Sequence, residues 1–507
     1  MFAPKNNVMD ILFVEPFGSG QIRLGITTLA AVLKQNGFSV EIVDLLPGKD
    51  VPYKRSEEYF QKCLKQYPKV IAFTATTPTF HKTVEAVKKV RPYCNKIITG
   101  GPHSTIFRER ILEKVPEVDV VVMGEAEETI TQIMEALISE KSLQDIKGIA
   151  YRNGDKICVN PPAPLTTDLD KIPFPARELL DIDAYDAPFN VMSSRGCPYN
   201  CVYCSKPVTN TNWRSRSPKN VVDEIEQAFE KYPHVAKRIN RTVGISDDNF
   251  TINKERAIGI CDELISRHMD INMTCATGIH VNTISSELLQ KMKDAGCSEL
   301  WYGMETGNPK LLQAIGKATS IEQIKKAVEL SKKIGIQGVG GHFIIGLPNE
   351  TLKEARETIA FMKNLKLDIA GINHMVPFPS TAMWGYVKEH GTLLATYEDV
   401  VDYRNFLSYG KENPIFETPE FPAEERRIAY NEAAEVIDSM IRNSIMSTSN
   451  IKKFMAKVRS PKDIIWGIKR VAQIYTKTDL RRVATIAKPK HTDEVKTDEK
   501  HQPTDSN

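Results

Sequence analysis

Three cysteines fall within eight residues in the stretch Arg195-Gly-Cys197-Pro-Tyr-Asn-Cys201-Val-Tyr-Cys204, with three and then two residues between them. A loop this short can wrap its thiols round one metal centre, and thiolates are soft ligands suited to zinc or to an iron-sulfur cluster. Structural zinc takes four ligands, commonly as two pairs, and no second pair follows here. Three thiols on an iron-sulfur cluster leave one iron open to another ligand. The remaining six of the nine cysteines, Cys63, Cys94, Cys158, Cys261, Cys275 and Cys297, are scattered. They read as small buried hydrophobes, and the odd total argues against a disulfide framework.

The elements that must position this loop form two alternating series. From Ile11 to Met123, apolar runs (ILFVE, VEIVD, VIAFTA, KIITGG, DVVVMG) alternate with helix-period stretches at Thr27 to Asn36, after Arg55, at Thr83 to Val90, after Thr105 and at Glu127 to Ile138. Strands that are apolar throughout belong to a parallel sheet covered on both faces, so a doubly wound α/β domain is expected over residues 1–150. Ligands of such a sheet sit in the loops at its strand ends, here Gly18, Ser19 and Gly20, then Thr74 to Thr79, then Gly100 to His103, then Gly124 and Glu125. A proline-rich connector is expected over 151–185, carrying Pro161, Pro162, Pro164, Pro173 and Pro175.

The second series supplies six strand-helix units, with strands at VMSS, TVGISDD, NMTCAT, LWYGMET, VGGHFIIG and IAGINHMV. Six units predict a partial barrel over 186–395. Parallel barrels place their chemistry at the C-terminal strand ends, where Asp247, Asp248, Asn249, Thr277, Glu305 and Asn373 fall. A mainly helical region is expected over 396–487 and a disordered tail over 488–507.

The CxxxCxxC spacing directly after the first strand of a partial barrel resembles the radical S-adenosylmethionine (SAM) superfamily. That resemblance implies a 4Fe-4S cluster on Cys197, Cys201 and Cys204, with the open iron chelated by the amino and carboxylate groups of SAM. An electron from the cluster would then split SAM to a 5'-deoxyadenosyl radical. SDDNFTINKERA (Ser246 to Ala257), ATGIHVNTISSELLQKMKDAGC (Ala276 to Cys297), YGMETGN (Tyr302 to Asn308) and HFIIGLPNET (His342 to Thr351) resemble, in order, the later strand-end motifs of the subgroup with an N-terminal cobalamin domain. The likeness spans about residues 8 to 385. By it, Tyr203 packs on the SAM adenine, Glu305 meets the ribose or amino group, Asp247 or Asp248 is the second-strand polar contact, and Gly346 lies along the adenine. An aromatic filling the barrel mouth and helix-capping or paired acids are the structural alternatives. His280 stands where relatives commonly carry Arg, so a carboxylate contact there is expected to be weaker and pH-dependent.

In the front half, Gly25 to Leu45, Thr76 to Val90, Gly100 to Thr105 and Gly124 to Thr129 are similar to the same subgroup's cobalamin-binding domain. The resemblance implies cobalamin contacts at Gly18, Ser19, Thr76, Thr77, Gly100, Gly101 and Glu125. The Asp-x-His-x-x-Gly signature that supplies a histidine to cobalt is absent, which is usual in this subgroup, and His81 and His103 remain as loop histidines. The function implied is a cobalamin-dependent methyltransferase acting on an unactivated carbon of a small-molecule or lipid substrate and fed by an electron donor such as flavodoxin or ferredoxin. A radical cyclase or rearrangement enzyme shares every motif, and an iron-sulfur scaffold or sensor is the non-enzymatic alternative. His342, Asn373, His374 and Trp384 are expected to line the substrate pocket.

Composition bounds these readings. The 507 residues predict two or three domains; 41% hydrophobic and 26% charged residues describe a soluble globular protein. No run approaches the roughly 18 apolar residues of a spanning helix, and the N-terminus lacks a secretory pattern, so a cytoplasmic location is expected. A net charge of +3 gives no whole-protein footprint for nucleic acid. The segment Ile451 to Arg482, with ten Lys or Arg against two acids, reads as a solvated basic helical face or as peripheral contact with anionic lipid.

Overall fold

The computed structural model describes residues 9–48, 51–403 and 413–445. The lipid-contact segment and the tail expected from residue 488 lie outside the described residues.

The first sheet follows from the apolar runs. Strands β1 (Ile11–Glu15), β2 (Val40–Asp44), β3 (Val70–Thr74), β4 (Lys96–Gly100) and β5 (Val120–Val122) are parallel and ordered β2-β1-β3-β4-β5. Helices cover both faces. Leu24–Gln35 buries Ile26, Ala30 and Leu33 on one side, and Phe80–Val90 buries Phe80, Val84 and Val87 on the other, each at helical spacing. The order reverses between β1 and β3, which opens a crevice at the carboxyl ends of the strands.

The sheet runs past the expected boundary at residue 150. Strands β6 (Ile149–Asn153) and β7 (Lys156–Val159) add an antiparallel hairpin to β5, turned at Gly154-Asp155, where Gly154 has φ of 59°. A positive φ at the first of two turn residues is what a tight II′ hairpin requires, and glycine supplies it. The stretch expected to be a connector therefore begins as sheet.

The second sheet holds β8 (Asn190–Val191), β11 (Thr242–Ile245), β12 (Asn272–Ile279), β13 (Cys297–Glu305), β14 (Gly338–Ile345) and β15 (Ile369–His374). Its strands are all parallel and in sequence order, β8 at one edge and β15 at the other. This is the expected open six-stranded barrel. Between β8 and β11, β9 (Ser194–Arg195) pairs antiparallel with β10 (Arg214–Ser215), so the cysteine loop hangs between two short paired strands. The helix Ala423–Ile445 packs on the barrel, and the preceding segment returns Ala395, Val400 and Tyr403 to the core beside the first sheet. Among the described residues no helix is long and apolar enough to cross a membrane.

Candidate functional site: two cavities at the strand ends

A cavity of about 470 Å³ opens at the carboxyl ends of the barrel strands and is lined by Cys197, Cys201, Tyr203, Cys204, Glu305 and Lys317 among others. Gly196 turns the chain into the cysteine loop with φ of 90°, and a Cβ there would lie 2.5 Å from the Asn212 carbonyl oxygen. The three thiols face this one cavity without being drawn to ligating spacing: among the described residues no group of three His, Cys, Asp or Glu side chains is placed to hold a metal ion. Burial pushes the Cys197 thiol up, opposed by the Tyr199 backbone N–H and the Lys206 ammonium. The donor set, three soft thiols on one loop, is the feature that fits an iron-sulfur cluster.

Glu305 is aimed by the backbone. A register shift between Gly303 and Glu305 on β13 and a φ of 64° at Glu305 swing its carboxylate into the cavity. A non-glycine residue in this region costs about 1–3 kcal/mol, strain that concentrates at functional sites. Lys317 Nζ and the Tyr203 hydroxyl both donate to Oε1, at 2.7 and 2.9 Å. Oε2 is left without a hydrogen bond among the described residues, available to a ligand hydroxyl or amino group. Gly303 makes room for this arrangement, because a Cβ there would stand 2.8 Å from both Glu305 Oε1 and Lys317 Nζ. Burial, then the neighbouring Glu305 charge, raises the Tyr203 phenol well above its ordinary value, so it stays a donor. Lys317, twelve residues beyond Glu305 in the chain, carries no sequence signal of this role.

His280 stacks on Tyr199 with ring centroids 4.0 Å apart. Burial and then the Lys317 charge lower it to about 4, so it is neutral near pH 7. Its Nδ1 accepts from the Asn282 N–H at 3.3 Å, which assigns the proton to Nε2. That nitrogen is buried without a partner in a residue lining the cavity. A neutral donor replaces the expected pH-dependent cation.

Asp247 and Asp248 diverge. Asp247 is fully buried behind the cavity, accepting from Ser193 N, Ser193 Oγ and Ser194 Oγ, each at 2.6 Å. It fastens the strand end and does not line the pocket; Asp248 does. Gly346 likewise lies outside the lining. Its φ is 93°, and a Cβ would meet Arg426 Nη1 at 2.5 Å, so it serves the seating of the C-terminal helix. His342, Asn373 and His374 line the cavity as expected, whereas Trp384 packs against the core beside the first sheet.

The second cavity, about 380 Å³, lies at the crevice of the first sheet. Its walls are apolar on the sheet side (Phe13, Leu29, Ala72, Ile98, Val122, Ile130) and polar toward the barrel (Glu125, Glu127, Arg195, Arg216, Asp248). Gly100, Gly101 and Glu125 line it as expected. Gly18, Ser19, Thr76 and Thr77 do not. A Cβ at Gly18 would lie 2.8 Å from the Leu45 carbonyl oxygen, and Ser19 O accepts from the buried Arg55 at 2.5 Å. Thr76 and Thr79 bond to each other at 2.9 Å across a helix-entry turn, with Thr77 buried in it. His103 is also remote, stacked 3.9 Å from Phe80 and driven to about 3 by burial. Connector residues Leu169, Ile172, Pro173, Phe174 and Pro175 complete the wall, a role their proline content did not signal.

Comparison with known proteins agrees with this geometry. The profile of the Radical SAM superfamily matches residues 191–362 and that of the B12 binding domain matches residues 13–134. An uncharacterized methyltransferase of Pyrococcus horikoshii is 33% identical over 436 residues, covering 82% of this chain and 90% of its own. The chain belongs to the radical SAM superfamily. It is an enzyme of the branch with a front B12 binding domain. An anaerobic magnesium-protoporphyrin IX monomethyl ester cyclase of Cereibacter sphaeroides is 28% identical over 407 residues, 75% of this radical SAM enzyme and 64% of the cyclase. The solved structure of the radical SAM methyltransferase TsrM from Kitasatospora setae, with cobalamin and a 4Fe-4S cluster bound, superposes with a TM-score of 0.66 at 16% identity over 86% of this chain and 89% of that one. At that identity the likeness is one of fold.

Proposed function

We propose that this enzyme is a cobalamin-dependent radical SAM methyltransferase acting on an unactivated carbon of a small-molecule or lipid substrate. The observation that carries this reading is the adjacency of the two cavities: a thiol-bearing pocket at the barrel mouth and a glycine-edged pocket on the first sheet have one lining residue, Asp248, in common. Cys197, Cys201 and Cys204 would hold the cluster, and Gly100 and Gly101 would admit cobalamin close to the backbone. The cofactors supply the one-electron cleavage of SAM and the methyl group when bound.

The chain's own residues bind and orient. Glu305 Oε2 accepts from a polar ligand group, its carboxylate held by Lys317 and Tyr203. His280 Nε2–H offers a neutral donor to an acceptor such as a carboxylate. Gly124 leaves open space, with nothing within 4 Å of an added Cβ, beside the front cavity it lines. An electron donor such as flavodoxin or ferredoxin would supply the electrons.

A ring-closing reaction is the second reading, favoured by the cyclase likeness. The experiment is anaerobic reconstitution with iron, sulfide and hydroxocobalamin. Cluster and corrinoid absorbance together, each in molar amount, support the cobalamin-dependent reading, and S-adenosylhomocysteine formed beside 5'-deoxyadenosine separates methyl transfer from ring closure. A protein that takes up the cluster but no corrinoid is not a cobalamin-dependent enzyme.

A further inference from the structure

The two cavities meet at one side chain. Asp248 is the residue common to both linings. While Asp247 is fixed in the core, Asp248 stands in the opening between the pockets. Asp248 is exposed, and both cavities open onto it.

Its contacts bear on the cysteine loop. Asp248 Oδ2 accepts from the Gly196 N–H at 2.9 Å, one residue before Cys197. Arg195, the preceding residue, is held from the front domain by Glu125 at 3.1 Å and Glu127 at 2.7 Å. The first turn of the loop is thus gripped from both sides, by the first sheet through Arg195 and by the barrel through Asp248. The glycine between them has no freedom to take a side chain.

We propose that Asp248 is a positioning residue for transfer between the cavities, setting the placement of the cysteine loop relative to whatever occupies the first-sheet pocket. The inference rests on the cobalamin and cluster assignments of the proposed function. Asp248 acts through the Gly196 amide, so an acceptor oxygen is the requirement and the negative charge is secondary.

The test uses the full chain as wild type, D248A and D248N, each reconstituted anaerobically with iron, sulfide and hydroxocobalamin and then reduced. The readout is the magnetic coupling between the reduced cluster and bound cobalt(II), measured by electron paramagnetic resonance. The expected result is equal cluster and corrinoid content in all three, a shifted coupling in D248A, and return to the wild-type pattern in D248N, whose amide oxygen still accepts from Gly196. The same coupling in all three overturns the inference while leaving the proposed function intact. Loss of the cluster in D248A makes Asp248 a residue of loop folding and also overturns it. Wild-type protein that binds no corrinoid overturns the proposed function first, and the inference with it.

Discussion

Replacing Glu224 with Gln tests the buried charge network that joins the connector to the barrel. Glu224 is 2% exposed, and its two oxygens meet Arg177 Nη2 at 2.7 Å and Arg216 Nη1 at 2.5 Å. Arg177 also donates to the carbonyl of Asn190 in β8, while Arg216 lines the first-sheet cavity. The amide of Gln keeps the shape and removes the charge, leaving two guanidinium groups without a counter-ion. Breaking a buried pair from one side costs about 3–5 kcal/mol. At about 2–4 °C per kcal/mol for 150–250 residues, and about half that for a larger cooperative unit, melting should fall by about 3–10 °C. Burial alone would raise the Glu224 pKa, but the Arg177 and Arg216 charges more than reverse this and hold it below the ordinary value. A depressed carboxylate contributes stability above its unfolded pKa and loses it as pH falls through the folded one. The deficit of the variant is therefore full near pH 7 and shrinks in acid below about pH 4.3. Thermal unfolding followed by circular dichroism at both pH values is the assay. A variant melting with the wild type near pH 7, or a deficit that grows in acid, would refute this reasoning.

Three further outcomes are expected. Cys201→Ala should abolish cluster absorbance and 5'-deoxyadenosine formation, read by iron analysis and chromatography; retained iron would remove the thiol loop from the cluster site. Gly303→Ala should weaken SAM affinity by about tenfold, roughly 1.4 kcal/mol, by pushing apart the Glu305 and Lys317 pair, measured by equilibrium dialysis against the reconstituted protein. Glu350, buried and opposed only in part by the Leu347 and Gly346 N–H groups and Arg426, is raised to about 7. A raised carboxylate loses stability as pH climbs from its unfolded value through about 7. The stability of wild type relative to Glu350→Gln should accordingly decline across that window in denaturant titrations and level off above it.

The strands were legible because parallel sheets demand unbroken apolar runs, and runs such as VIAFTA and VGGHFIIG became strands; the strand order of the first sheet came only with the structure. The β6–β7 hairpin was not read although Gly154-Asp155 is its turn signal; the prolines that follow drew the boundary too early. Cysteine spacing is local, so Cys197, Cys201 and Cys204 could be read and do face one cavity. Pairings across long chain distances left no such trace. Arg195 with Glu127, Lys317 with Glu305, and the front-cavity wall made by Phe174 arise from folding alone. Adjacent identical residues posed the sharpest problem: Asp247 and Asp248 differ only in which way the backbone turns them, and the structure gives the pocket to the second. The loop residues Gly18 and Thr76 show the converse, since small and polar residues at strand ends also serve tight packing against Leu45 and helix entry.

The central claim is tested most directly by incubating the reconstituted enzyme anaerobically with reductant, methyl-labelled SAM and an extract of small molecules and lipids, then quantifying 5'-deoxyadenosine and S-adenosylhomocysteine together. Both products in step, with label in a carbon-bound methyl group, are the predicted result; deoxyadenosine alone would contradict methyl transfer and assign the enzyme to ring closure or rearrangement.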